Sequence, residues 1–202
     1  WNDAGPGVWV RVYDFKGNPI NTAVVNIGDG TLMAISPGVD VPEADFEELD
    51  AIGPVKALVS PGAFHHLGLP SWSARYPDAD LFGPAGAVEH IAKQHPHLKP
   101  LSDLDALRSR LSDEFIVDNV DGCKYPDLFL SLQRGGSVTW FANELVSNNE
   151  DYPPGVLKWA FKLTGNHPGL NVNTLAGMLI RAKKPKVRAY FEQQLDIKAP
   201  TR

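Results

Sequence analysis

Val8-Trp9-Val10-Arg11-Val12-Tyr13-Asp14-Phe15 sets Val8, Val10 and Val12 against Trp9, Arg11 and Tyr13, the two-residue period of a half-buried strand. Gly17-Asn18-Pro19 follows as a turn. Asn21 to Ile27 reads as a second strand, Gly28-Asp29-Gly30 as a tight hairpin connection, and Thr31 to Ser36 as a third strand. Three strands on short turns predict an antiparallel meander, and a doubly wound parallel sheet does not begin that way. Downstream the period changes. Pro42 opens a short helix whose Phe46, Leu49 and Ile52 share a face, Gly53-Pro54 stops it, and Val55 to Ser60 is an apolar run suited to a strand buried on both sides.

Further along, Ser71 to Tyr76 and Ala85 to Gln94 read as helices flanking a strand at Ala79 to Phe82. Ser102 with Asp105 has capping-box spacing ahead of Leu104, Leu107 and Leu111. A second block of strands is expected at Phe115 to Asn119, Asp127 to Gln133 and Ser137 to Ala142, the last two joined by Arg134-Gly135-Gly136. Val156 to Leu163 is apolar nearly all round and should be buried. Val187, Tyr190, Phe191, Gln194 and Leu195 mark a final amphipathic helix. Two sheets packed face to face with helices on their outer faces satisfy this order.

The 202 residues, 43% of them hydrophobic and 21% charged, suit one domain spanning 1–202 and exclude wholesale disorder. No apolar run is long enough for a transmembrane helix, so no membrane partner is expected. A net charge of -5 gives no footprint for nucleic acid. The C-terminal segment is locally basic (Arg181, Lys183, Lys184, Lys186, Arg188, Lys198, Arg202 against Glu192 and Asp196), which reads first as a solvated helix face. Cys123 is the single cysteine, so no intramolecular disulfide can form, and it reads as a small thiol beside a turn. The chain begins at Trp1, so trimming is expected and an earlier leader stays open. The default localisation is cytoplasmic.

Six histidines are His65, His66, His90, His95, His97 and His167. His65-His66 stands out because it follows a buried strand on a glycine-containing loop, where folds hold binding residues. His95-Pro96-His97 with His90 is the rival group, but Pro96 keeps its histidines off a regular helical face, so it reads as a solvated helix end. Gly28-Asp29-Gly30 and Gly135-Gly136 lack phosphate-loop spacing, and no Gly-x-Ser-x-Gly elbow is present. Trp9, Trp72, Trp140 and Trp159 read as core residues.

The strand Val55-Lys56-Ala57-Leu58-Val59-Ser60 leading to His65-His66-Leu67-Gly68 resembles the metallo-β-lactamase superfamily, whose strand leads into Thr-His-x-His-x-Asp-His-x-Gly. Pro61 and Ala63 stand where that motif has its first two histidines, His65 where it has aspartate, and His66 and Gly68 match. Val138-Thr139-Trp140-Phe141-Ala142-Asn143-Glu144 resembles the strand ending in the family's bridging aspartate, with Glu144 in its place. Trp72, Tyr76-Pro77 and Gly83-Pro84-Ala85-Gly86 are similar to a small branch with a degenerate metal motif.

The resemblance implies an α+β fold, a four-layer αββα sandwich of the metallo-β-lactamase type. It implies a reduced metal site, His65, His66 and Glu144 with His167 added, holding one zinc or other divalent transition metal, or none. The implied activity is hydrolysis of an ester, lactone or phosphoester, with Glu144 and His66 as catalytic residues and a small-molecule substrate as partner. The alternative is a metal-free, catalytically inactive member kept as a binding or interaction module, with a homodimer as one form of it. His66→Ala is expected to damage any metal binding or hydrolysis more than His97→Ala does.

Overall fold

The computed structural model describes the chain except Lys16, Pro126, Arg181 and Arg202, together with the side chains of Asn18, Asn148, Asn149, Leu170 and Leu179. A short edge strand β1 (Asn2–Gly5) precedes the expected meander of β2 (Val8–Phe15), β3 (Asn18–Gly28) and β4 (Thr31–Ile35). All three pairings are antiparallel, with Val8 opposite Val25 and Ala23 opposite Ile35. The strand β3 begins earlier than its apolar run because Asn18 and Pro19 already pair with Phe15 and Asp14. Helix α1 (Glu43–Ile52) has Pro42 at its N-cap and carries the chain to β5 (Val55–Val59), which lies parallel to β4. Helix α2 (Leu69–Arg75), strand β6 (Asp80–Phe82), helix α3 (Ala85–Gln94) and the two-residue β7 (Leu101–Ser102) extend the parallel part, giving one seven-stranded sheet in sequence order.

Helix α4 (Leu104–Arg108) leads to a separate antiparallel sheet of β8 (Phe115–Asn119), β9 (Leu128–Arg134) and β10 (Ser137–Ala142), with β9 in the middle. Beyond it, β11 (Val146–Asn149) pairs with β12 (Gly169–Val172) around α5 (Val156–Leu163), and α6 (Thr174–Leu179) and α7 (Lys184–Lys198) complete the chain. Among the described residues no helix is long and apolar enough to cross a membrane.

Three apolar clusters tie these pieces together. On one face of the large sheet, Val24, Leu32, Ala34 and Leu58 meet Phe46, Leu49, Trp72, Ala87 and Ile91 of α1, α2 and α3. On its other face, Val8, Val25, Met33, Ile35, Val59 and Phe82 meet Leu104 and Leu107 of α4 and Val117, Leu128, Leu130 and Leu132 of the small sheet. The small sheet's far face places Phe129 against Val187 and Tyr190 of α7 and Ile180 after α6. Side chains of this size contribute roughly 1.5–3 kcal/mol each when fully buried.

Three local expectations are corrected. The α4 cap is Asp103, whose side chain accepts from Ala106 N at 3.0 Å, rather than Ser102. Ser102 is already committed as a strand partner of Phe82. Asp103→Ala is therefore expected to cost about 1 kcal/mol in urea unfolding, and Ser102→Ala much less. On β2 the alternation fails beyond Arg11: Tyr13 is buried and Val12 exposed, since the small sheet covers only the Val8–Val10 end. Helix α5 buries none of its residues, with Val156 84%, Trp159 65% and Leu163 86% exposed. Val156, Leu157, Trp159 and Leu163 face solvent, while Ala160 and Phe161 are half-buried.

Candidate functional site

The chemistry-bearing residues gather where β4 and β5 end and the small sheet meets them. The β5 apolar run stops at Ser60, a fully buried residue whose hydroxyl lies within hydrogen-bond reach of the carbonyls of Gly62 (2.9 Å) and His65 (3.0 Å). That fixes the loop onto the strand it leaves. The same loop is stitched to the second sheet by an antiparallel bridge between Gly62 and Asp127 and by Leu128 N donating to Pro61 O at 2.8 Å. A Cβ at Gly68 would collide with the carbonyl oxygens of Pro37 and Gly38, so glycine is required for the loop to close on the β4 turn.

His65 is held from both sides. Its Nδ1 lies 3.0 Å from Ser36 Oγ, and its Nε2 lies 2.9 Å from Glu144 Oε1. The tautomer that satisfies both contacts carries its proton on Nε2, donates it to Glu144 and accepts from the Ser36 hydroxyl. Ser36 is buried and has φ +56°, a strained conformation for a non-glycine residue. Its amide donates to Val59 O at 3.0 Å and its carbonyl accepts from Thr22 Oγ1 at 2.7 Å, which offsets that strain. The side chains of His65 and Glu144 remain 20% and 22% exposed, so this couple meets solvent while Ser36 lies behind it.

Asp127 closes the site from below. It is 1% exposed; its Oδ1 accepts from Asn143 Nδ2 at 2.8 Å and Glu144 N at 3.2 Å, while its Oδ2 has no hydrogen-bond partner among the described residues. Burial pushes this carboxyl up to about 6, against the opposing pull of those donors and with the Glu144 charge adding to the rise. Burial likewise pushes the neighbouring Cys123 thiol up to about 11, with Asp127 and Asp121 adding to it, which leaves a poorly reactive thiol at neutral pH.

His66 faces elsewhere. Its Nδ1 is 2.8 Å from His95 Nε2, and the His90 ring stands edge-on 5.8 Å away between centroids. Burial pulls the His66 ring down to about 4, with His95, His90 and His65 contributing, so it is neutral at physiological pH. The solvated-helix-end reading is corrected for His95, half-buried against His66 at the end of α3, while His90 stays exposed with its ring edge on His66. His97 is exposed. His167 is also exposed, with Nδ1 2.7 Å from the carbonyl of Pro168.

Of the four residues implied by resemblance, His65 and Glu144 come together, His66 joins a different histidine group, and His167 makes its contact within its own turn. Pro61 and Ala63 bring no donor. Among the described residues no group of three or more His, Cys, Asp or Glu side chains is arranged to hold a metal ion. Both ring nitrogens of His65 are engaged, so this donor set does not fit a resident ion and no chemical step is derived through one.

Sequence reasoning treated Ser36 as a strand end and Asp127 as a strand start. An acidic residue opening the apolar run Leu128-Phe129-Leu130 was the available signal for Asp127. A serine followed by Pro37-Gly38 directly after Leu32–Ile35 was the signal for Ser36.

No known family model and no curated protein matches the sequence. Among solved structures, the chain is similar to a metallo-beta-lactamase from Pontibacter korlensis, with 13% sequence identity, a TM-score of 0.52, and coverage of 89% of this chain and 96% of that one. The likeness extends over nearly the whole length of both chains, and the protein therefore has a metallo-β-lactamase-like fold.

Proposed function

We propose that the protein is a hydrolase-like member of this fold in which the His65–Glu144 couple activates water against an ester, lactone or phosphoester. The observation that carries this reading is the 2.9 Å contact between His65 Nε2 and Glu144 Oε1, partly open to solvent and oriented from behind by Ser36. In the proposed step Glu144 takes the proton from a water whose oxygen bonds to the acyl carbon or phosphorus; the scissile C–O or P–O bond then breaks and Glu144 returns the proton to the leaving oxygen, while His65 Nε2–H orients the carboxyl. Asp127, with its raised pKa and unpartnered Oδ2, keeps a second proton site beside Glu144.

A four-layer αββα order, one domain over 1–202 and a cytoplasmic setting belong to the same proposal. The three apolar clusters, stacked from α1–α3 through both sheets to α7, support the layer order. The single cysteine, free and half-buried, suits a reducing compartment. The second reading, a binding module, draws on the bare apolar side of α5.

The test is turnover of an aryl ester, a lactone and a phosphodiester panel by protein purified with chelator. Glu144→Gln and His65→Ala are each expected to lower kcat/KM about a hundredfold. Equal turnover by wild type and His65→Ala would overturn the assignment. Turnover that appears only after loading zinc or manganese, with matching metal content by elemental analysis, would restore the metal-dependent hydrolase in its place.

A further inference from the structure

Helix α7 presents Pro185, Val187, Arg188, Phe191, Glu192 and Leu195 at helical spacing along one wall of a groove. The opposite wall is built from Val146 of β11, its strand partner Val172 of β12, and Met178 of α6, with Leu145 at the floor. The groove encloses about 730 Å³, within the range of small-ligand sites. Leu145 and Val187 are buried at its base, while Val172 (60%), Met178 (58%) and Leu195 (48%) are left open to water along its sides. From Lys184 to Leu195 the helical rise gives ~17 Å, the length of an extended long-chain acyl group.

Charge is placed at one end of this apolar trough. Lys184 lines it at the first turn of α7 and Arg188 one turn later, while Leu195 closes the far end. The acidic lining residue, Glu192, already accepts from Arg188 Nε at 2.7 Å. Lys183 precedes Lys184 in sequence, whereas Lys186 is turned to Asp121, its Nζ 3.5 Å from Oδ2.

We propose that this groove binds a free long-chain carboxylate, its acyl chain along α7 between Phe191, Leu195, Met178 and Val172 and its head group at Lys184 and Arg188. An apolar body gains from covering the exposed Val172, Met178 and Leu195, and Met178 adapts its shape to the chain. A carboxylate gains from the guanidinium and ammonium at the open end. Leu145 at the floor directly follows Glu144, but neither His65 nor Glu144 lines the groove, so acid binding is read without reference to the hydrolytic reading.

The experiment titrates the full chain with a fluorescent polyunsaturated C18 acid and displaces it with saturated acids of decreasing length. One-to-one binding is expected, weakening about fourfold for each methylene removed. Leu195→Glu and Met178→Glu, both at exposed positions that the fold tolerates, are expected to weaken binding at least tenfold. Lys184→Ala with Arg188→Ala should weaken the acid but leave its methyl ester unaffected. Circular dichroism checks that each variant is folded. The proposal is overturned if the methyl ester binds wild type as tightly as the acid, or if Leu195→Glu binds unchanged. It is equally overturned if the protein cosediments with phosphatidylcholine vesicles but ignores monomeric acid, or if light scattering shows that a dimer buries the groove.

Discussion

Asp127→Asn is expected to raise the unfolding free energy by roughly 2–3 kcal/mol at pH 8 and to leave it little changed at pH 4. In the fold this carboxyl ionises near 6, against an ordinary value of 3.8. Between those values the unfolded chain has released a proton that the folded chain still holds, so this group's stabilisation is lost as pH rises through about 6. Asparagine keeps an oxygen for Asn143 and the Glu144 amide and removes the buried charge. His66 acts with the opposite sign. Its ring titrates near 4 in the fold instead of 6.5, so the unfolded chain takes up a proton that the folded chain refuses, and stability is lost as pH falls from 6.5 through 4.

In the wild type the two slopes oppose one another between pH 4 and 6. Asp127→Asn removes one and uncovers the other. The difference in stability between variant and wild type should therefore climb by up to about 1.4 kcal/mol per pH unit across that interval. Urea unfolding at half-unit steps from pH 4 to 8 measures it, and a flat difference curve would mean that Asp127 ionises freely in the fold. A gain in stability accompanied by lower turnover would be the trade expected of a group kept strained for function.

Trp72→Ala is expected to cost about 4 kcal/mol. The side chain is fully buried, edge-on to Phe46 at 5.1 Å, Trp1 at 6.4 Å and tilted against Tyr76 at 6.0 Å. Its indole N–H donates to Gly38 O at 3.0 Å. Removal opens a cavity among α1, α2 and the large sheet and also strips a partner from a buried carbonyl in the turn after Ser36. Trp72→Phe keeps most of the packing and loses the hydrogen bond, so it should cost only about 1–2 kcal/mol. Guanidinium unfolding of both variants separates the two contributions, and a loss below about 1 kcal/mol for alanine would contradict this account.

The meander was legible because Val8–Phe15, Asn21–Ile27 and Thr31–Ser36 carry their period in adjacent residues and are separated by Gly-rich turns. The β5 run was legible as a short apolar stretch after Gly53-Pro54, and Ser137–Ala142 through the Arg134-Gly135-Gly136 connection ahead of it. Helix α5 was misread because a helix that is apolar nearly all round looks the same whether a partner covers it or not, and sequence carries no record of the partner. At the site, His65 and Glu144 came into view through motif position. Ser36 and Asp127 did not, because each owes its character to a neighbour far along the chain: the imidazole on one, the loss of water on the other. The histidine group failed for a related reason, since helical spacing within α3 says nothing of a loop that returns to pack on it.

The bridge from Gly62 to Asp127 joins two sheets that are otherwise built from local hairpins and short crossovers. Ser36 and His65 follow strands of the large sheet, Asp127 and Glu144 border strands of the small one, and neither pair makes a site alone. During refolding, strands with nearby partners should form before contacts that close long loops. Backbone circular dichroism should accordingly recover ahead of the His65–Glu144 contact, and any activity of that couple would then serve as a clock for the last docking event rather than for the appearance of secondary structure.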